Sequence, residues 1–186
     1  MTKKFKVTFR DVKSMEFLEG TTFKEIADCF KEYFNYEILA AKVDNNLVDL
    51  SDTLSKKCNI DFFDRTSDTG NTIYARSARF IMVLAIQNVL GKDVDIIAEH
   101  SMDHGVYCTV VGAKINKEIV NQISKEMKKI VKQNYFFTKL NVSRLDAIKY
   151  FKKFNKMDKV NVLKYISNTY INLYRIEGFI WPKNLK

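Results

Sequence analysis

No stretch of this chain approaches the ~20 uninterrupted apolar residues that a membrane-crossing helix needs, so no membrane partner is expected. The N-terminus, Met1-Thr2-Lys3-Lys4-Phe5, enters a strand-like alternation without a signal-peptide core, and a cytoplasmic setting is expected by default. Proline occurs once and glycine six times, against 46% apolar and 28% charged residues, which excludes a disordered chain. The three cysteines, Cys29, Cys58 and Cys108, are odd in number and widely spaced; reduced thiols fit them better than a disulfide frame or a zinc knuckle. No glycines have the spacing of a GxxxxGK[ST] phosphate loop, so the chain is not itself a kinase of that kind and no cofactor is expected. What remains, 186 residues, suffices for one domain or two small ones with a real core.

Charge is distributed unevenly. Residues 113–186 hold 17 Lys/Arg against five Asp/Glu, a net of +12, whereas residues 1–70 and 71–112 carry −2 and −1. Clustered lysines neutralise phosphates, so the basic segment points to a polyanion such as tRNA or another RNA. An equally good account is a lysine-rich solvated helix surface, since the helix carrying Lys125, Lys128, Lys129 and Lys132 needs a polar face whatever it binds.

The first 66 residues read as strand, strand, helix, strand pair, strand. Lys4 to Phe9 alternates as a half-buried strand does, a turn near Asp11 leads to Ser14–Leu18, and Gly20 ends the hairpin. Thr22 and Glu25 have the spacing of a capping box, opening a helix whose face is Phe23, Ile26, Ala27, Phe30 and Phe34. Ile38 to Val43 and Leu47 to Leu50 flank Asp44-Asn45-Asn46, where the paired asparagines suit positive φ. Ser51 to Leu54 reads as a short turn and Cys58 to Phe63 as the last strand. The order is that of a β-grasp unit in an α+β chain.

From Asp68 the pattern changes. A turn at Asp68-Thr69-Gly70 precedes a helix with Ala78, Ile81, Ala85 and Val89 on one stripe; Val94, Ile96 and Ala98 then alternate, the segment His100 to Gly105 turns, and Val106 to Val111 returns. Arg76, Ser77, Glu99, His100, Ser101, His104 and Cys108 fall at element ends or in the turn, where side chains converge on one cleft. With Tyr74 and Tyr107 they form the candidate ligand-binding set, although these two tyrosines and Trp181 suit core or interface positions better than base stacking. Arg76 and Glu99 suit an ion pair closing helix onto hairpin. His100, His104 and Cys108 offer three soft ligands, but a turn spacing favours unoccupied histidines over zinc, and no metal is expected. A Cys108–His100 nucleophile pair is weighed down by the strand position of Cys108, which suits a small buried hydrophobe. Further on, Asn116 caps a helix with Ile119, Ile123, Met127, Ile130 and Val131; Ser143 and Asp146 cap a second with Ala147, Ile148, Phe151 and Phe154; Asp158 to Ile166 is a third.

Two tracts carry a resemblance. Gly20-Thr21-Thr22 with Ala40 to Leu50 resembles the TGS domain, a β-grasp module at the front of threonyl-tRNA synthetases and other proteins. Tyr74-Ala75-Arg76-Ser77 with Glu99-His100-Ser101 and Gly105-Val106-Tyr107-Cys108 resembles the second N-terminal domain of threonyl-tRNA synthetase, and more closely the version fused ahead of uridine-kinase-like nucleoside kinases. The resemblance implies a TGS-like domain over 1–66, then an editing-like domain over 67–186 cut short at its C-terminal end. It also implies a kinase domain following in a longer protein, whose activity would be ATP-dependent nucleoside phosphorylation. In the synthetase domain, mischarged serine is removed from tRNA by a site with two histidines on the first helix and a later cysteine and histidine. The resemblance puts Arg76 and Phe80 at the helix positions, and the tail after Phe179 supplies neither of the other two. Arginine stays protonated and phenylalanine does not titrate, so no catalytic residue is expected. The implied role is a non-catalytic binding or regulatory module for RNA or a nucleotide; the alternative is an editing hydrolase with a remodelled site around Arg76, His100, His104 and Cys108.

Overall fold

The computed structural model describes residues 3–92, 94–102, 105–176 and 179–182, with backbone alone at 98–102, 106, 179 and 181–182. The architecture is α+β, and the chain divides into two compact units, Met1–Arg79 and Phe80–Lys186.

The first unit is a five-stranded sheet with one short helix. Strands β1 (Lys4–Phe9), β2 (Lys13–Leu18), β3 (Ala40–Val43), β4 (Asn46–Val48) and β5 (Cys58–Phe63) stand in the order β2-β1-β5-β3-β4. Neighbours are antiparallel except β1 and β5, which run parallel with Val7 opposite Cys58. Helix α1 (Phe23–Asp28) opens with the expected box: Thr22 Oγ1 accepts from the Glu25 N–H, and the Glu25 carboxylate accepts from the Thr22 N–H. Its inner face joins Val7, Phe9, Ile60 and Phe62 in one core with Phe30, Ile38 and Leu54.

Two local expectations are corrected by the structure. The helix stops at Asp28 and gives way to a 3-10 turn at Lys31–Tyr33, so Phe30 and Phe34 reach the core from beyond it. The tight turn uses Asp44 and Asn45, both at positive φ, while Asn46 already belongs to β4. Asp and Asn tolerate the left-handed region better than most residues, and the Asp44 side chain also ties the turn to β5, its Oδ1 accepting from the Asn59 N–H at 3.0 Å. The turn read at Ser51 to Leu54 is present, with the Asp52 N–H donating to the Asp49 carbonyl at 3.0 Å, and Leu54 at its end is 2% exposed and fills the core.

Helix α2 (Asp68–Leu90) contains the border between the units. Asp68-Thr69-Gly70 is its first turn rather than a preceding loop; the turn lies at Asp64–Ser67, where Ser67 Oγ accepts from the Gly70 N–H at 3.1 Å. Four consecutive residues, Val83 to Ile86, are buried, more than the single stripe read from spacing, because neighbours cover this end from more than one side.

In the second unit, β6 (Asp95–Met102) and β7 (Gly105–Val111) form a hairpin with a register shift between Ala98 and His100. Helix α3 (Lys117–Gln133) follows, capped by Asn116 through the Ile119 N–H and ended by Asn134 in the left-handed region. Strand β8 (Thr138–Ser143), helices α4 (Arg144–Lys153) and α5 (Met157–Tyr165), and strands β9 (Tyr170–Ile176) and β10 (Phe179–Pro182) complete it. The antiparallel sheet β10-β9-β8 was not anticipated from the sequence. On β9, Ile171 and Leu173 join α4 and α5 in one cluster, whereas Tyr174 and Ile176 join α2 and α3 in another. Alternate residues of a strand point to opposite faces, so α3 and α4 lie over opposite sides of this sheet.

Candidate functional site

The entrance to α2 is held by a polar turn in the first unit. Asp64 is 5% exposed; its carboxylate accepts from the Thr66 N–H at 2.9 Å and from the Thr66 hydroxyl. That hydroxyl, against the penalty of burial and with backbone N–H groups of Thr66 and Tyr36, holds the Asp64 carboxyl below the usual carboxylate range. Arg65 lies over the Tyr36 ring at 4.0 Å. Ser67 Oγ donates to the Asp64 carbonyl at 3.0 Å while capping α2. Of the candidate set, Tyr74, Arg76 and Ser77 follow on this helix. Ser77 Oγ donates to the Ile73 carbonyl at 3.1 Å, which occupies its hydroxyl within the helix. Arg76 is exposed, and Tyr74, at 53% exposure, is no core residue.

The remaining candidates belong to the second unit. Glu99, His100 and Ser101 lie within β6, which runs on to Met102, so the expected turn from His100 is shorter than spacing suggested. Tyr107 stands opposite His100, and Cys108 opposite Ala98. Tyr107 is 60% exposed, again not a core aromatic, and Cys108 is half-buried. His104 lies outside the described residues, as do the side chains of Glu99, His100 and Ser101. The expected Arg76–Glu99 pair and the His100–His104–Cys108 grouping therefore fall outside what the structure describes.

Helix α3 presents the four lysines as expected in sequence. Ile123, Met127 and Ile130 turn inward, of which Ile130 is 3% exposed, while Val131, read as part of that face, is 61% exposed, and Lys125, Lys128, Lys129 and Lys132 are all exposed. At 100° per residue the lysines fall opposite the apolar stripe, and seven residues of rise spread them over about 10 Å. Lys129 Nζ reaches Glu126 at 3.4 Å, and Glu126 also accepts from Asn88. The surface is a row of ammonium groups on a rigid support, suited to phosphate oxygens rather than to bond-making chemistry.

No protein-family model matches the sequence. The chain is similar to the threonine-tRNA ligase of Desulforamulus reducens, 26% identical over 158 residues, which is 85% of this chain and 25% of that protein. It is 27% identical to the threonine-tRNA ligase of Acetivibrio thermocellus over 160 residues, 86% of this chain and 25% of that protein. Against that of Clostridium novyi the figures are 27% over 177 residues, 94% of this chain and 28% of the ligase. Most of this chain is related to threonine-tRNA ligases. It spans about a quarter of the length of the curated relatives it matches.

That relatedness gives positions 76 and 80 a particular interest. Phe80 is 6% exposed, meets Phe137 edge-on at 5.2 Å, and belongs to the cluster of Leu84, Ala85, Ile130 and Ile176. A phenyl ring so placed is a packing element; its position is filled by core, not by a titrating group. Among the described residues no three His, Cys, Asp or Glu side chains gather as metal ligands, and no helix is long and apolar enough to cross a membrane.

One feature escaped sequence reasoning. A cleft of about 180 Å³ lies between the start of β6 and the α4–α5 turn, lined by Gln87, Asp95, Asn155, Lys156, Asp158 and Lys159 among others. Lys156 Nζ bonds Asp95 Oδ1 at 2.5 Å and approaches the Val94 carbonyl at 3.5 Å, while Lys159, 8% exposed, bonds Asp158 at 2.7 Å. Burial works against the Asp158 carboxylate, yet the Lys159 bond and charge hold it below its usual range. The Lys156–Asp95 pair ties the hairpin to the helices, whereas the Lys159–Asp158 pair lies within α5. Lys156 and Asp95 are some 60 positions apart and match no motif, so no local signal marked them.

Proposed function

We propose that this chain is a non-catalytic, tRNA-directed binding module from the front of a longer protein related to threonine-tRNA ligases. The first unit reads as a TGS-like β-grasp domain over 1–66; the order β2-β1-β5-β3-β4 with its parallel central pair supports that reading. The editing-like domain then starts at 67, which keeps α2 intact although the compact units divide at Arg79. The observation that carries the RNA reading is the α3 face, where four exposed lysines stand opposite the buried stripe within a segment of net charge +12. Turnover is disfavoured by Phe80, whose ring is consumed in packing, and by Arg76, which cannot act as a general base. The kinase-fused arrangement rests on the Tyr74–Ser77 and Glu99–Cys108 resemblance, and the phosphorylating part would lie in another segment of such a protein.

The test is a titration of the chain with tRNA across ionic strength, alongside hydrolysis of mischarged seryl-tRNA. Salt-sensitive binding without release of serine is the expected outcome. Absence of binding at low ionic strength removes the RNA reading; catalytic release of serine favours the editing hydrolase with a remodelled site.

A further inference from the structure

The C-terminal end of α4 carries an aromatic surface that the fold leaves open. Phe154 sits at core spacing, three positions beyond Phe151, yet it is 53% exposed where Phe151 is 3% exposed. Its ring lies 4.9 Å from that of Tyr150, tilted by 49°. Tyr150 is half-buried and its phenol is pushed up by that burial, so the pair forms a step with a rigid inner ring and an accessible outer one. Around it the sequence Lys149-Tyr150-Phe151-Lys152-Lys153-Phe154 interleaves rings with cations. All three lysines are exposed; at 100° per residue Lys149, which also reaches Asp146 at 3.4 Å, and Lys153 share the side of the helix that Tyr150 edges, while Lys152 falls on the far side. A basic last turn also complements the helix carbonyls, which accounts for Lys152 and Lys153 but not for a solvent-facing phenyl beside them.

We propose that this ledge binds an unpaired nucleotide of an RNA strand, the base stacking on Phe154 and the flanking phosphates meeting Lys149 and Lys153. The inference rests on the RNA reading above and adds a second contact surface and the form of RNA it takes. An exposed ring among lysines is the combination that single-strand binders use, because every base has a face to stack and every linkage a charge to neutralise. A base inside a duplex has both faces covered and cannot use the ring. A protein-docking surface would be expected to lose its lysines, which are depleted at such interfaces. The residue after Phe154, Asn155, is exposed at φ +53° and lines the cleft that also holds Gln87. At about 180 Å³ that cleft is smaller than the ~300 Å³ at which drug-sized pockets begin.

Because α3 and α4 cover opposite faces of the sheet, the two surfaces can be separated by experiment. Fluorescence anisotropy on the full chain would compare a single-stranded RNA with an RNA duplex at low ionic strength, with single-stranded DNA of the same sequence as a third probe. Phe154→Ala is expected to weaken single-strand binding roughly 5- to 100-fold, the range of base–aromatic stacking, and to leave duplex binding unchanged. Phe154→Trp should retain or tighten single-strand binding. Lys149→Ala with Lys153→Ala should lower the log–log salt slope for the single strand by about 0.7 for each phosphate no longer neutralised. Melting curves should stay near wild type, since the ring is exposed. Wild-type single-strand affinity in Phe154→Ala, with duplex binding intact, overturns the ledge while leaving the RNA reading standing. Equal losses on both probes, or Phe154-dependent self-association in sedimentation, would assign the ring to another role. Binding to neither RNA would sink both readings.

Discussion

Replacing Gly70 by alanine tests the account of how α2 is anchored, because two physical effects oppose each other there. Gly70 is in the first turn of a helix, where alanine gains up to about 1 kcal/mol over glycine by intrinsic propensity. The structure opposes that gain: a Cβ at Gly70 would stand 1.7 Å from the Asp64 carbonyl oxygen and 3.0 Å from Ser67 Oγ. The carbonyl is backbone, so the Asp64–Ser67 turn would have to retreat by more than an ångström. That turn contains the Ser67 cap and the buried Asp64 bonds to Thr66. Losing the cap costs about 1 kcal/mol, and forcing an extra carbon into a filled space typically costs about 1–3 kcal/mol. Net destabilisation of about 1–3 kcal/mol should result, a fall of a few to about 10 °C in melting temperature for a chain of this size. Circular dichroism melts of wild type and Gly70→Ala measure it. Gly91→Ala is a useful companion: its φ is +94° with nothing within 4 Å, so it should cost about 1 kcal/mol from backbone strain alone. A Gly70→Ala protein as stable as wild type, or more stable, would refute the close approach at Asp64.

Other outcomes are equally specific. Phe80→His should not create serine-releasing activity and should cost roughly 2–4 kcal/mol in urea denaturation, because it trades a buried ring against Phe137 for an imidazole without a designed partner. Thr22→Ala should lose about 1 kcal/mol at neutral pH through the α1 cap. The Thr22 bonds hold the Glu25 carboxyl below its ordinary value, so that share of the cap is present above the unfolded pKa of about 4.3 and is lost as pH falls through the folded value. The gap between wild type and Thr22→Ala should therefore narrow in acid denaturation profiles. Lys128→Ala and Lys132→Ala should each lower the salt slope of duplex RNA binding by about 0.9, and Lys129→Ala by less, because Glu126 already shares its charge.

Local physics was legible in the sequence. The Thr22–Glu25 box, the Asn116 cap, the Ser143–Asp146 cap and the strand from Cys58 to Phe63 all reappear, because each depends on residues within one turn or one strand. The lysine face of α3 was legible for the same reason: a helix of known period converts spacing directly into direction.

Position relative to other elements was not legible. Phe154 and Phe151 have the same spacing signal, yet Phe151 is covered and Phe154 is not, since the helix ends between them. The β8–β10 sheet, the Lys156–Asp95 bond and the burial of Phe80 against Phe137 are set by segments meeting across dozens of residues. The sequence by itself determined most of the helices, the strands of the first unit, the caps and the charge they carry. Only tertiary structure decided which apolar side chains became core and which were left facing solvent, because burial depends on what packs opposite and no local pattern records that.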